Sequence, residues 1–177
     1  MGQANTIYKA PRAAALLNPT SATTFKQYSD STKAACVYFP VQVQATAPPF
    51  MAFKFRAMGR CVNSASHNLT PKVSYGVSAT AGSNTIIAAG AAVAVTTTMT
   101  TWCIWGELFW DSTSQVITGH FQNILGETMT LASPAVLTAE ATGVDFSQSG
   151  LGLSVEATIA TGGGDNAYLD ELSLEVL

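Results

Sequence analysis

The sequence predicts an all-β protein, an antiparallel β-sandwich of jelly-roll type with an extended N-terminal arm. Three observations carry this. Apolar and polar residues alternate at period two through stretch after stretch. Turn signals rich in Gly, Pro, Asn, Asp and Ser separate those stretches at short intervals. No segment carries an apolar stripe at helical spacing, and short strands without helices close into a sandwich or barrel. The 177 residues suit one such domain with an appendage.

Residues 1–33 read as the arm. Ala10-Pro11-Arg12 and Asn18-Pro19-Thr20 break regular structure, and the Ala13–Leu17 run between them is too short for a stable helix. Residues 34–177 read as the sandwich. Ala35–Ala45 sets Val37, Phe39, Val41 and Val43 at period two, with Pro40 marking an edge or bulge. In Phe50–Val62, Phe53, Phe55 and Ala57 oppose Lys54, Arg56 and Arg60. Lys72–Ser78, Thr85–Ala88 and Ala92–Thr97 follow as shorter strands. Thr98–Trp110 and Gln115–Asn123 form a hairpin around Asp111–Ser114. Thr128–Leu131, Ala135–Ala139 and Val144–Phe146 are brief. Leu151–Ile159 alternates cleanly. In Tyr168–Leu177, Tyr168, Leu172, Leu174 and Val176 oppose Glu171, Ser173 and Glu175; this last strand is expected inside a sheet.

Composition excludes several classes. Hydrophobic residues make up 47% and charged residues 11%, against about a quarter charged in ordinary domains. Disorder needs the opposite balance. A net charge of −3 argues against nucleic acid as a partner. No stretch has the length of a membrane-spanning helix, and the apolar part of Lys9–Leu17 is too short for a signal peptide. The charges are sorted by position. Residues 1–72 hold all eight bases and one acid, net +7; residues 73–177 hold ten acids and no base, net −10. A sandwich that interleaves early and late strands would neutralise the two halves internally, whereas an exposed basic segment would meet an acidic partner.

The ionisable residues suggest no catalytic site, and no enzyme, cofactor or metal is expected. His67 reads as a solvated loop residue and His120 as a polar residue on a strand face. Glu107 and Glu171 could supply a glycosidase's two carboxylates, but their spacing gives no support. Asp165, Asn166 and Asp170 could offer oxygens to calcium without the EF-hand pattern. Cys36, Cys61 and Cys103 read as buried free thiols. In Thr98–Trp110, Trp102 and Trp110 share one face and Trp105 and Phe109 the other. One pair should fill the core. The other should be covered by a subunit or stack on sugar rings.

Trp102-Cys-Ile-Trp-Gly-Glu-Leu-Phe-Trp110, then Ile117-Thr-Gly-His-Phe121, Val144-Asp-Phe146, Leu151-Gly-Leu-Ser-Val-Glu-Ala157 and Leu172-Ser-Leu-Glu-Val-Leu177 follow one another over residues 99–177. This order resembles jelly-roll structural modules of tailed bacteriophages, above all capsid decoration (cement) proteins. The resemblance implies a non-enzymatic virion protein on the capsid surface, assembled in the host cytoplasm. It would bridge major-capsid subunits and self-associate, as a homotrimer. The arm, with Tyr8, Lys9, Arg12, Leu16 and Leu17, would then dock on the capsid, and Trp105 and Phe109 would meet another subunit. The alternative is a receptor- or glycan-binding module of a phage tail or fibre, with Trp105 and Phe109 as the platform.

Overall fold

In the two longest central strands large apolar side chains (Phe53 and Phe55; Trp102, Ile104, Leu108 and Trp110) fall on alternate positions, so one face of each must be buried. The computed structural model of the chain describes residues 7–17, 19–39, 50–62, 67–89, 93–95, 100–111, 113–125, 137–141, 151–160 and 164–177. Their strands are β1 (Ile7–Lys9), β2 (Leu16–Leu17), β3 (Thr23–Thr24), β4 (Val37–Tyr38), β5 (Phe50–Val62), β6 (His67–Tyr75) and β7 (Thr85–Ala89). After these come β8 (Val93–Val95), β9 (Thr100–Asp111), β10 (Val116–Leu125), β11 (Leu137–Ala141), β12 (Gly152–Ile159) and β13 (Asn166–Val176). The expected strands at Thr128–Leu131 and Val144–Phe146, and residues 40–45 of the first, lie outside the described residues.

Two antiparallel sheets face each other. One runs β1-β13-β5-β9-β10-β11, with β2 also on β13; the other runs β3-β12-β6-β7, with β4 on β12 and β8 on β6. If β1/β2, β3/β4 and β7/β8 each count as one position and the β10–β11 hairpin is set aside, the first sheet reads first, eighth, third, sixth. The second reads second, seventh, fourth, fifth. That is the jelly-roll order, two Greek keys wound together. The hairpin widens the first sheet beyond β9.

The core lies between the sheets. Phe53, Phe55, Trp102, Ile104, Leu108, Trp110 and Ile117 enter from one side and Leu69, Val73, Leu153, Val155 and Ile159 from the other. Each large side chain buried there contributes about 1.5–3 kcal/mol. Phe39 meets Phe53 edge-on at 5.0 Å, the preferred geometry of an aromatic pair. Trp102 and Trp110 therefore form the core pair, and Trp105 and Phe109 point outward.

Two irregularities explain where the alternation misleads. In β13 the register with β5 shifts between Leu169 and Glu171, so Asp170 is an extra residue. This bulge reverses the phase. Ala167 and Leu169 point inward before it, Leu172 and Leu174 after it, and Tyr168 lies on the outer side, not with the core set. Pro71 stands inside β6, between the residues that pair with β8 and those that pair with β7. A missing N–H costs no ladder bond on that side.

The N-terminal segment is extended, as expected, but it is not an appendage. β1 and β2 add to β13, β3 and β4 add to β12, and isolated bridges join Ala13 to Gln27 and Lys26 to Ala34. Phe25, fully buried, stacks near Trp102 with centroids 6.5 Å apart. Its N–H donates to the Val155 carbonyl and its carbonyl accepts from Ala35 N–H. The strands β1 to β4 thus form the first two jelly-roll positions, and a boundary at residue 33 does not divide the described structure.

The outer faces of the two sheets differ. Residues 76–84 fold over the β12 side. Asn84 accepts from Ser78 N–H and donates to the Ser78 carbonyl and the Ser154 hydroxyl. Glu156, buried beneath, accepts from Gly82 N–H and the Thr24 hydroxyl. The chain turns into this cover at Gly76, whose φ of +129° suits glycine alone. The outer face of the first sheet carries no such cover among the described residues.

Candidate functional site

That open face is where the chain gathers its chemistry. Because β5 alternates Phe53, Phe55 and Ala57 inward, it must turn Lys54 and Arg56 outward; β9 turns Cys103, Trp105 and Glu107 outward by the same rule. Cross-strand register then aligns them in rows. One row runs Ile7, Glu175, Lys54, Glu107, His120; the next runs Lys9, Ser173, Arg56, Trp105. Together with Glu171 these residues line an open depression of about 960 Å³. Beyond the first row exposed aromatics appear, Phe109 opposite Thr118 and Phe50 opposite Asp111. Phe50, 75% exposed, stands at the corner with Phe109 and Leu177.

Glu107 and Glu171 both line the depression, at well-separated positions. β5 lies between their strands and they differ by two rows, so their Cα atoms are about 16 Å apart. Glycosidase carboxyl groups sit about 5–9.5 Å apart. Glu107 and Glu175 do share a row, but Lys54 stands between them.

The expected docking residues part company. Tyr8 packs against the core and Leu16 is only 8% exposed. Both lean inward, because β1 and β2 pair with β13 and bury alternate side chains. Lys9 turns into the depression in the same row as Trp105. Arg12 and Leu17 remain on the surface of the N-terminal edge. The Arg12 guanidinium lies 4.7 Å from the centre of the Tyr28 ring, a cation–π contact. Tyr28 is 69% exposed and Leu17 73%. Trp105 is half-buried and Phe109 exposed, both outside the core as their alternation predicts. Tyr28 escaped the sequence reading; its signal was an aromatic set in a polar turn close to Lys26 and Lys33.

His67 is not a solvated loop residue. It opens β6, and its Nδ1 lies 2.6 Å from Oδ2 of Asp165, a fully buried carboxylate. Asp165 therefore faces His67, while Asp170 is turned by the bulge to Arg60, which grips it with two bonds of 2.7 and 2.8 Å. The two acids considered for calcium serve different partners. A thiol completes no nucleophilic triad here. Burial first, then the Asp165 carboxylate, push Cys61 up to about 12, so it stays a protonated, inert thiol. Burial also raises Cys36 and Cys103. Cys103, expected in the core, is half-buried on the outer face of β9. Replacing His67 with Ala removes a charge-assisted contact to a buried carboxylate, and should cost about 1.5–3 kcal/mol. A urea melt at neutral pH checks this; His67→Gln, which keeps a donor, should recover part of the loss.

Fold and face together define a jelly-roll β-sandwich in which, among the described residues, one sheet is covered and the other open. No protein-family model matches the chain, and no curated protein matches it. Among solved structures it is similar to a lectin from Bauhinia forficata in complex with GalNAc, with 10% identity over 98% of this chain and 99% of that one. The TM-score of 0.35 gives that likeness no weight here.

Proposed function

We propose that the chain is a capsid decoration protein, a β-sandwich that docks on the outer surface of a phage head and bridges major-capsid subunits. The observation that carries this reading is the N-terminal edge. There Leu17 and Tyr28 are the most exposed large apolar residues, Arg12 lies over the Tyr28 ring, and the same segment carries Lys26 and Lys33. Apolar side chains accompanied by cations suit a carboxylate-bearing protein surface. The resemblance over residues 99–177 supports the same reading. Docking then belongs to a built edge, not to a free arm. Self-association as a homotrimer belongs to the proposal too, through the apolar corner of Phe50, Phe109 and Leu177.

The test is occupancy of capsids stripped of the protein and incubated with the wild type or with a Leu17→Asp, Tyr28→Asp double variant. Both side chains are exposed, so the variant should melt with the wild type. Its occupancy should fall by about tenfold or more. Wild-type binding should also weaken as salt rises, since exposed cations are screened. Unchanged occupancy in the variant would refute the docking edge.

A further inference from the structure

The open depression holds three cations, Lys9, Lys54 and Arg56, and three carboxylates, Glu107, Glu171 and Glu175. In the first row they alternate across the strands as Glu175, Lys54, Glu107, with His120 beyond. Side chains directly opposite on neighbouring strands are about 5 Å apart at Cβ, so donors and acceptors repeat at that interval. A polyanion laid here meets the glutamates, and a polycation meets the lysines and the arginine. A hydroxyl group both donates and accepts, and so finds a partner at each position. Opposite Arg56 stands the half-buried indole of Trp105, whose apolar body and polar rim suit the C–H face of a sugar ring.

We infer that this depression is a binding site for a neutral oligosaccharide, lying across β13, β5 and β9 with one ring stacked on Trp105. The face from β1 to β10 spans five strands, about 19 Å, which favours an oligosaccharide over a single sugar. Lys54 and Glu107 would bind neighbouring hydroxyls as donor and acceptor, and Arg56 would clamp the stacked ring. The site does not depend on the docking edge and would operate wherever the module is carried.

Trp102 and Trp110 are buried in the core, so a change in tryptophan emission on ligand addition reports on Trp105. The experiment titrates the wild type with neutral gluco-, galacto- and N-acetylhexosamine oligosaccharides, with heparin oligosaccharides as the polyanionic arm. At least one neutral series should shift the emission, with affinity rising from monosaccharide to oligosaccharide. Trp105→Ala and Glu107→Gln should each weaken binding by about tenfold, read by calorimetry, while Trp105→Phe keeps most of it. The thermal melts of all three should match the wild type, since these side chains lie outside the core. No response to any neutral series, a response to heparin alone, or undiminished binding in Trp105→Ala would each overturn the inference.

Discussion

Phe25→Ala should destabilise the protein by about 3–5 kcal/mol, the cost of emptying a large aromatic site in a close-packed core. Phe25 has no exposed surface and stacks near Trp102 at 6.5 Å. Its backbone joins Val155 on one side and Ala35 on the other, so the side chain pins the whole N-terminal segment between the sheets. The loss should appear as a lower denaturation midpoint. It should also appear as faster amide exchange through β1–β4, because those short strands depend on that anchor. Were residues 1–33 an arm outside the sandwich, the same substitution would leave the midpoint where it was.

Gly59→Ala should be nearly as severe, at least about 3 kcal/mol. A Cβ at this position would lie 1.9 Å from the Tyr168 carbonyl oxygen and 2.6 Å from the Trp102 ring. Neither neighbour can retreat: the oxygen belongs to β13 beside the bulge, and the indole is buried against Phe25. The requirement is close approach, not an unusual backbone angle, so even the smallest side chain is excluded. Thermal melting of the purified variant checks this, and a midpoint within one or two degrees of wild type would contradict it.

Most of the long strands were legible because each buries one face. Phe50–Val62, Thr85–Ala88 and Leu151–Ile159 coincide with β5, β7 and β12 to within a residue. The short edge strands were not. β2, β3 and β4 hold two residues each, too few to show a period, and their partners lie more than a hundred residues later in β12 and β13. Pro11 and Pro19 flank them, and proline is tolerated at such edges for the reason it argues against central strands. The bulge at Asp170 likewise leaves no compositional trace, so strict alternation puts Tyr168 on the wrong face.

The candidate site was legible in part. Alternation alone put Trp105 and Phe109 outside the core and set Lys54 and Arg56 opposite Phe53 and Phe55. What it could not supply was adjacency. The jelly-roll order lays β5, the source of Lys54, Arg56 and Arg60, between β13 and β9, which bring Glu175, Asp170 and Glu107. Part of the opposition between the basic residues 1–72 and the acidic remainder is thereby met inside the molecule. Arg60 holds Asp170 and stacks over Tyr168 at 5.2 Å, while Lys54 sits between two glutamates. Arg12, Lys26 and Lys33 stay on the N-terminal edge, Lys33 with Asp30 at 3.2 Å. The proposed docking polarity then rests on those few positions and not on the whole segment.

Hydrogen exchange compared between the free protein and the protein bound to capsids tests the docking edge most directly. Protection gained on binding should fall on residues 7–38, with the amides of β9 and the central part of β5 unchanged. Protection spread over β5 and β9, with residues 7–38 exchanging as in the free protein, would contradict it.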